Sequence, residues 1–532
     1  MQIALLFVLL LSFVFGLGML ARRLEVPYPI LFVIGGLAIS FIPILPRQLQ
    51  LDPDMVFFLI LPPLLYIQAF FTSWRDFRRN LRAISLLAIG LVLATTVVVA
   101  YVSHALIPNF PLSAGFVLGA IISPPDAIAA AAIANRLGLP RRVVTILEGE
   151  SLVNDATSLV IFRMALVATG TMTSRLNDIW IPGQFVYVSV GGVAVGLVLG
   201  RAVGWIRRRI SKGDVQITLT LSFMTPYLSY LLADQFLHVS GVLAVVATGL
   251  LLGWEAPEML TAGLRLQATA VWQMIIYLLN GVVFVLIGLQ LPGILRGLTE
   301  PLWPGPILDA LALNAVCIVV RMVWVFLGAF LPRLLVRRIR ETEECPDPRQ
   351  VAIIGWCGMR GIVSLAAALT LEGYAGFPHE ALVQFLAFSV ILTSLVVQGL
   401  TLPAVIRWLG VGDDGTPARE EILARTVIVQ AVLAKISKVR QEQKFPESAL
   451  VRIETFYREQ EAAFHDDLAD ELGWSQERHH LLSLRRLRRM MIAVQRRALL
   501  AERNAGRIGD DVMHAIEHEL DLEEDRLGTA GA

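Results

Sequence analysis

The sequence predicts an all-α polytopic membrane protein: about thirteen transmembrane helices with inverted repeats and two discontinuous crossing helices, then a helical cytoplasmic C-terminal domain. Three observations predict it. Hydrophobic residues make up 56% of the 532-residue chain and charged ones only 17%, a balance foreign to a soluble domain of this size. Apolar runs of roughly 20 residues, each enough for a helix to cross ~30 Å of hydrocarbon, recur from Met1 to about Leu409. Arginines gather in alternate connections between these runs. The runs are continuous, whereas the strands of a membrane barrel alternate polar and apolar positions, so a barrel is not favoured.

Spans are expected to begin near residues 1, 29, 54, 82, 111, 142, 184, 215, 238, 268, 305, 351 and 380. The second and ninth are short, and the fifth and twelfth are interrupted. Met1 to Leu20 has no basic stretch before it and no small-residue cleavage site after it, so it reads as a retained span. About twenty basic residues fall in one set of connections, among them Arg75, Arg78, Arg79, Arg82, Arg207, Arg208, Arg209 and Arg265. The other set holds only Arg47, Arg175 and Arg296. This asymmetry puts the N-terminus outside and the C-terminus in the cytoplasm, in an inner (plasma) membrane.

The membrane domain is expected over 1–410 and a cytoplasmic helical domain over 411–532, where Gly410, Gly412 and Gly415 lead into a charged, helix-forming segment. Leu481 to Glu502 mixes Arg with Leu, Met and Ile at helical spacing, which suits a solvated bundle; a regulatory role, with a cytoplasmic regulator as partner, is the sharper reading. A net charge of +1 selects no nucleic-acid partner. Cys317 and Cys357 lie in apolar runs and Cys345 in a polar loop, so there is neither a disulfide framework nor a CxxC metal site. No Walker-type loop appears, and Ser151 has no nearby base, so neither ATP-driven pumping nor enzymatic hydrolysis is indicated, and no cofactor is expected.

An ionisable group inside a span costs about 2.5–3.5 kcal/mol on insertion scales and survives where it faces a cavity or a partner. The sixth span holds the densest set: Glu150, Ser151, Asn154 and Asp155. At 100° per residue, Glu150 and Asn154 form one ridge and Ser151 and Asp155 the next, so one helix face carries all four. A carboxylate and a hydroxyl one turn apart offer hard oxygen ligands to a partly dehydrated alkali cation. Burial penalises the charged carboxylate, so a proton competes with that cation at Asp155. The plainer reading, an acid paired only to hold helices together, suits Glu150 better than Asp155.

In the fifth span, Ile122-Ser-Pro-Pro-Asp126 removes two consecutive backbone donors and breaks the helix. Free carbonyls there, that of Pro125 among them, could coordinate a cation beside Asp126, although a simple proline kink with a capping Asp gives the same pattern. The twelfth span, Gly355-Trp-Cys-Gly-Met-Arg-Gly-Ile-Val-Ser364, is a second broken helix carrying Arg360. Seven spans separate the two breaks, an odd offset that makes equivalent members of two repeats enter the membrane in opposite directions. Arg321 in the eleventh span needs an acid; Glu150 is preferred, leaving Arg360 for helix ends or carboxylates at the breaks, and the swap of the two arginines stays open. Arg163 is expected to snorkel to the outer interface, and His104 and His238 to sit at span ends.

With Leu61-Pro-Pro-Leu64, Gly149-Glu-Ser-Leu-Val-Asn-Asp155 and Gly358-Met-Arg-Gly361, residues 1 to 410 resemble the Na⁺/H⁺ exchanger family, which holds bacterial NhaP-type antiporters and the animal exchangers. The resemblance implies a homodimer in which spans four to six and eleven to thirteen move against the rest. It implies antiport of Na⁺, or of K⁺ or Li⁺, for H⁺ by alternating access in pH and cation homeostasis. By carry-over Asp155 is the shared cation and proton site, Ser151 and Asp126 help coordinate the metal ion, Asn154 steadies the crossing backbones and Glu150 pairs with an arginine. Asn154 before Asp155 implies electroneutral exchange. Two departures bear on selectivity. Pro125-Asp126-Ala127 stands where the family often has Thr or Val before Asp-Pro, so no threonine ligand is present, and Ile67 and Gln68 occupy the stretch where an acid commonly follows Leu-Pro-Pro. Gln68 still offers a neutral oxygen. The rival readings are a cation channel and a transport-inactive membrane sensor.

Overall fold

The computed structural model describes residues 2–24, 26–41, 52–171, 181–210, 215–259, 262–298, 304–342, 345–374, 376–412, 416–441, 446–448 and 450–458, with isolated positions beyond. It divides into two compact units, Met1–Asp413 and Asp414–Ala532. Among the described residues every regular element is helical and none is a strand. In the first unit these are α1 (Gln2–Leu24), α2 (Tyr28–Ser40), α3 (Pro53–Phe71), α4 (Leu81–Leu106), α5 (Leu112–Ile122), α6 (Ala127–Arg136), α7 (Arg141–Ala168) and α8 (Ile181–Ile210). There follow α9 (Val215–Leu231), α10 (Gly241–Met259), α11 (Ala262–Leu289), α12 (Gly305–Leu335), α13 (Pro348–Trp356), α14 (Ile362–Leu369) and α15 (Glu380–Leu409). Eight helical stretches among the described residues are long and apolar enough to cross a membrane; Tyr28–Ser40, Gly241–Ala256 and Ile362–Gly373 are shorter apolar helices.

Helix starts fall within about three residues of those expected, with one exception. The start expected near 238 falls at Gly241, after His238 takes a left-handed φ of 53° that ends the preceding turn. The exception is the one near 268, which moves to Ala262, so Arg265 lies on α11 and not in a loop. Among the described residues four stretches wind as π-helix: Val56–Ile60, Leu86–Leu91, Leu232–Phe236 and Ser394–Gln398. Two of them have carbonyls served by side chains of other helices. Pro63 has no N–H to give Leu59 O, and the Tyr227 hydroxyl donates to that carbonyl at 3.1 Å. Trp324 Nε1 donates to Leu86 O at 2.9 Å.

Small residues set the closest helix contacts, as expected where apolar lipid gives helices no hydrophobic drive to associate. A Cβ on Gly115 or Gly119 of α5 would press on the α4 backbone at Ala100 and Thr96, and one on Gly192 or Gly196 of α8 would press on Ser240 and Ala244. Burial is uneven: 72% of the Leu112–Ala134 window is buried but only 22% of Gly183–Arg209, so α5 and α6 form the interior and α8 an outer wall. In the second unit, α16 (Thr416–Gln441) is described, and Glu454 accepts from Arg440 at 2.6 Å and from Arg458 at 2.7 Å, hydrogen bonds that hold its carboxyl below the ordinary range. Most of the 481–502 stretch expected to be helical lies outside the described residues.

Candidate functional site

α5 stops at Ile122 and helix resumes at Ala127, because Pro124 and Pro125 cannot donate. Asp126 starts the new helix: its Oδ1 accepts the Ile128 N–H at 2.8 Å, and Ser151 Oγ accepts the Ala127 N–H at 3.4 Å. α13 likewise stops at Trp356, and α14 starts after Gly361. The two breaks touch, the Asp126 N–H donating to Met359 O at 2.6 Å. A Cβ at Gly361 would collide with the Asp126 carboxylate, so only glycine allows that approach. Asp126 thus lies at the N-terminal, positive ends of both α6 and α14.

The two arginines serve the opposite helix ends. Arg360 Nε donates to Ile122 O at 2.7 Å, the last carbonyl of α5, and its Nη1 donates to Gly358 O. Arg321 Nη2 donates to Ile354 O at 3.1 Å, while its Nη1 and Nη2 grip Glu150 Oε1 and Oε2 at 2.6 and 2.9 Å. Of the two candidates left open by sequence, Arg321 is therefore the one on Glu150. Both members of this bidentate pair are 1% exposed, so each charge depends on the other.

Asn154 Nδ2 donates to Pro125 O at 2.6 Å, tying α7 to the first break. The Pro125 carbonyl, expected to face a cation, is thus engaged by Asn154, and Pro124 lines the cavity beside Asp126. That cavity, of about 30 Å³, is lined by Asp126, Asp155, Ser151, Gln68 and Ser364, room for a water or two or a largely dehydrated ion. Asp126 is claimed by a backbone N–H, whereas the Asp155 carboxylate has no hydrogen-bond partner among the described residues. Ser364 Oγ is also buried without a partner. Sequence reasoning missed it as a ligand, although its place in the first turn after a broken helix was a usable signal. Oxygens of two carboxylates, two hydroxyls and one amide so converge, a donor set that suits a hard monovalent cation.

Outside this cluster, Arg163 does more than snorkel: it pairs with Asp234 at 2.9 Å, joining α7 to the π turn after α9, with its own side chain 57% exposed. The His104 ring lies 2.6 Å from Phe110 O at the end of α4.

The profile of the family described as sodium/hydrogen exchanger, transmembrane, matches residues 9–408. An uncharacterized Na⁺/H⁺ exchanger of Mycobacterium tuberculosis, Rv2287, is 37% identical over 517 residues, 96% of this chain and 93% of its own. The low-affinity Na⁺/H⁺ antiporter NhaS1 of Synechocystis is 30% identical, covering 81% of this chain and 80% of its own. A Bacillus subtilis protein named sodium, potassium, lithium and rubidium/H⁺ antiporter is 34% identical over 71% of this chain and 57% of its own. The solved structure of MjNhaP1, a sodium proton antiporter from Methanocaldococcus jannaschii, superposes with a TM-score of 0.60 at 20% identity, over 77% of this chain and 98% of that one, a likeness of fold. The profile and the relatives together span nearly the whole sequence, and the chain belongs to the sodium/hydrogen exchanger family as a multi-pass membrane protein.

Proposed function

We propose that the protein is a secondary antiporter exchanging Na⁺ for H⁺ by alternating access, with K⁺ and Li⁺ as competing cargo, one cation for one proton. The observation that carries this reading is the unpartnered Asp155 carboxylate in a small oxygen-lined cavity at the crossing of two broken helices. Asp155 takes either species; Ser151, Ser364, Asp126 and Gln68 replace part of the cation's hydration. Asn154 and Arg360 hold the crossing, and the Glu150–Arg321 pair holds α7 to α12 and α13. The cation is cargo, and the protein acts without a cofactor or enzymatic step. About thirteen spans cross an inner membrane, two of them as broken helices, the arginine-rich connections face the cytoplasm, the protein works as a homodimer, and the second unit regulates it.

The test is Asp155→Asn in proteoliposomes under an imposed pH gradient, with Na⁺, K⁺ and Li⁺ offered separately and the voltage clamped or free. Cation-coupled proton flux is expected in the parent protein, unaltered by voltage, and at background in the variant. Normal exchange by Asp155→Asn, or single-channel currents from the parent, would contradict the reading.

A further inference from the structure

Three consecutive arginines end α8, and helical phase spreads them about 100° apart. Two are accounted for: Arg208 pairs with Glu255 at 3.3 Å, and the Arg209 guanidinium lies 4.8 Å over the Trp205 ring. The third, Arg207, turns inward. It is 3% exposed, its Nε has no hydrogen-bond partner, and no carboxylate among the described residues pairs with it. A buried guanidinium without an anion is costly, so the place lacks a negative charge that something else must supply.

Arg207 lines a cavity of about 550 Å³ where α3, α8 and α10 end and α9 and α11 begin, which is the arginine-rich face of the bundle. The size falls in the range of about 300–1,000 Å³ typical of small-ligand sites. Among the described residues no acidic side chain lines it, and a second cation, Arg265, does. The wall is aromatic: Tyr66 and Trp272 lie 5.7 Å apart, with Phe70 beside them, and Trp272 Nε1 donates to Ser222 Oγ at 3.2 Å. Trp254, 60% exposed, stands at the rim, where tryptophans mark the membrane–water boundary.

We propose that this cavity binds the headgroup of an anionic phospholipid, the phosphate on Arg207 and the glycerol and first acyl carbons against Tyr66, Phe70 and Trp272. A guanidinium pairs with phosphate through charge-assisted hydrogen bonds, and a basic pocket between helices at a membrane face is a recurrent lipid site. The aromatic wall selects the lipid over free phosphate, which would gain nothing from it.

Native mass spectrometry of the detergent-purified full chain tests this, using phosphatidylglycerol, phosphatidylcholine and inorganic phosphate as probes. Phosphatidylglycerol should bind in preference to phosphatidylcholine, equally well to the parent and to Arg209→Gln, and at least about tenfold more weakly to Arg207→Gln. Inorganic phosphate should not displace it. Equal retention by Arg207→Gln, or no preference over phosphatidylcholine, would overturn the proposal. Displacement by inorganic phosphate would overturn the lipid as the source of the anion. Should Arg207→Gln fail to fold, Ala268→Trp leaves every charge in place and fills the cavity; the same weakening is expected, and undiminished retention contradicts the site.

Discussion

Glu150 and Asp155 are acids on the same helix and on neighbouring ridges of one face, yet their surroundings differ completely. Glu150 is 1% exposed and gripped at both oxygens by Arg321, whose remaining bond goes to Ile354 O. Asp155, little more than a turn further on, meets a small cavity and, among the described residues, no cation. One carboxylate is committed to holding three helices; the other is left open. Within a single α-helix, then, an acid's role is decided by what the opposite wall presents at its depth, which residue type alone does not reveal.

Exchanging the acids for their amides should give opposite results. Glu150→Gln leaves Arg321 buried and uncompensated and should cost about 3–5 kcal/mol of stability, read as a lowered melting temperature and a smaller folded yield. Asp155→Asn removes a charge that has no partner, so it should melt no lower than the parent while losing transport. A stable Glu150→Gln protein without transport would dissolve the contrast. Next in size is Gly361→Ala: its Cβ would displace the Asp126 carboxylate from the start of α14, and the apparent affinity for Na⁺ in a transport assay should fall about tenfold. Ser364→Ala removes one neutral oxygen from the cavity and should raise the apparent KM for Na⁺ only a few-fold, a change of about 1 kcal/mol. Smallest of all, Asp234→Asn breaks the Arg163 pair at a partly exposed site and should shift stability by less than about 1 kcal/mol in thermal denaturation.

Much of this was legible in the sequence because local chemistry dictates it. Two prolines at 124 and 125 must break a helix, and the glycines at 355, 358 and 361 permit a second break, so both interruptions could be placed from residue types alone. What stayed hidden depends on contacts distant in sequence. Choosing Arg321 over Arg360 for Glu150 requires knowing which helix lies opposite, across 171 positions of chain. The Pro125 carbonyl could be taken for a free ligand because its partner, the Asn154 amide, comes 29 residues later. The π turns leave the apolar pattern intact, and only the foreign donors Tyr227 and Trp324 reveal where carbonyls needed help. Arg207 reads like any residue of a basic loop, since its inward direction depends on the phase of α8 against its neighbours.

The most direct measurement of the proposed competition at Asp155 is proton release on cation binding. Purified protein in weak buffer near neutral pH is given Na⁺ while released protons are followed with an indicator dye. Up to about one proton per bound Na⁺ is expected from the parent, falling toward none as the pH is raised until the carboxyl is already ionised, and none is expected from Asp155→Asn. Saturable Na⁺ binding with no proton released at any pH, or release that persists in Asp155→Asn, would contradict it.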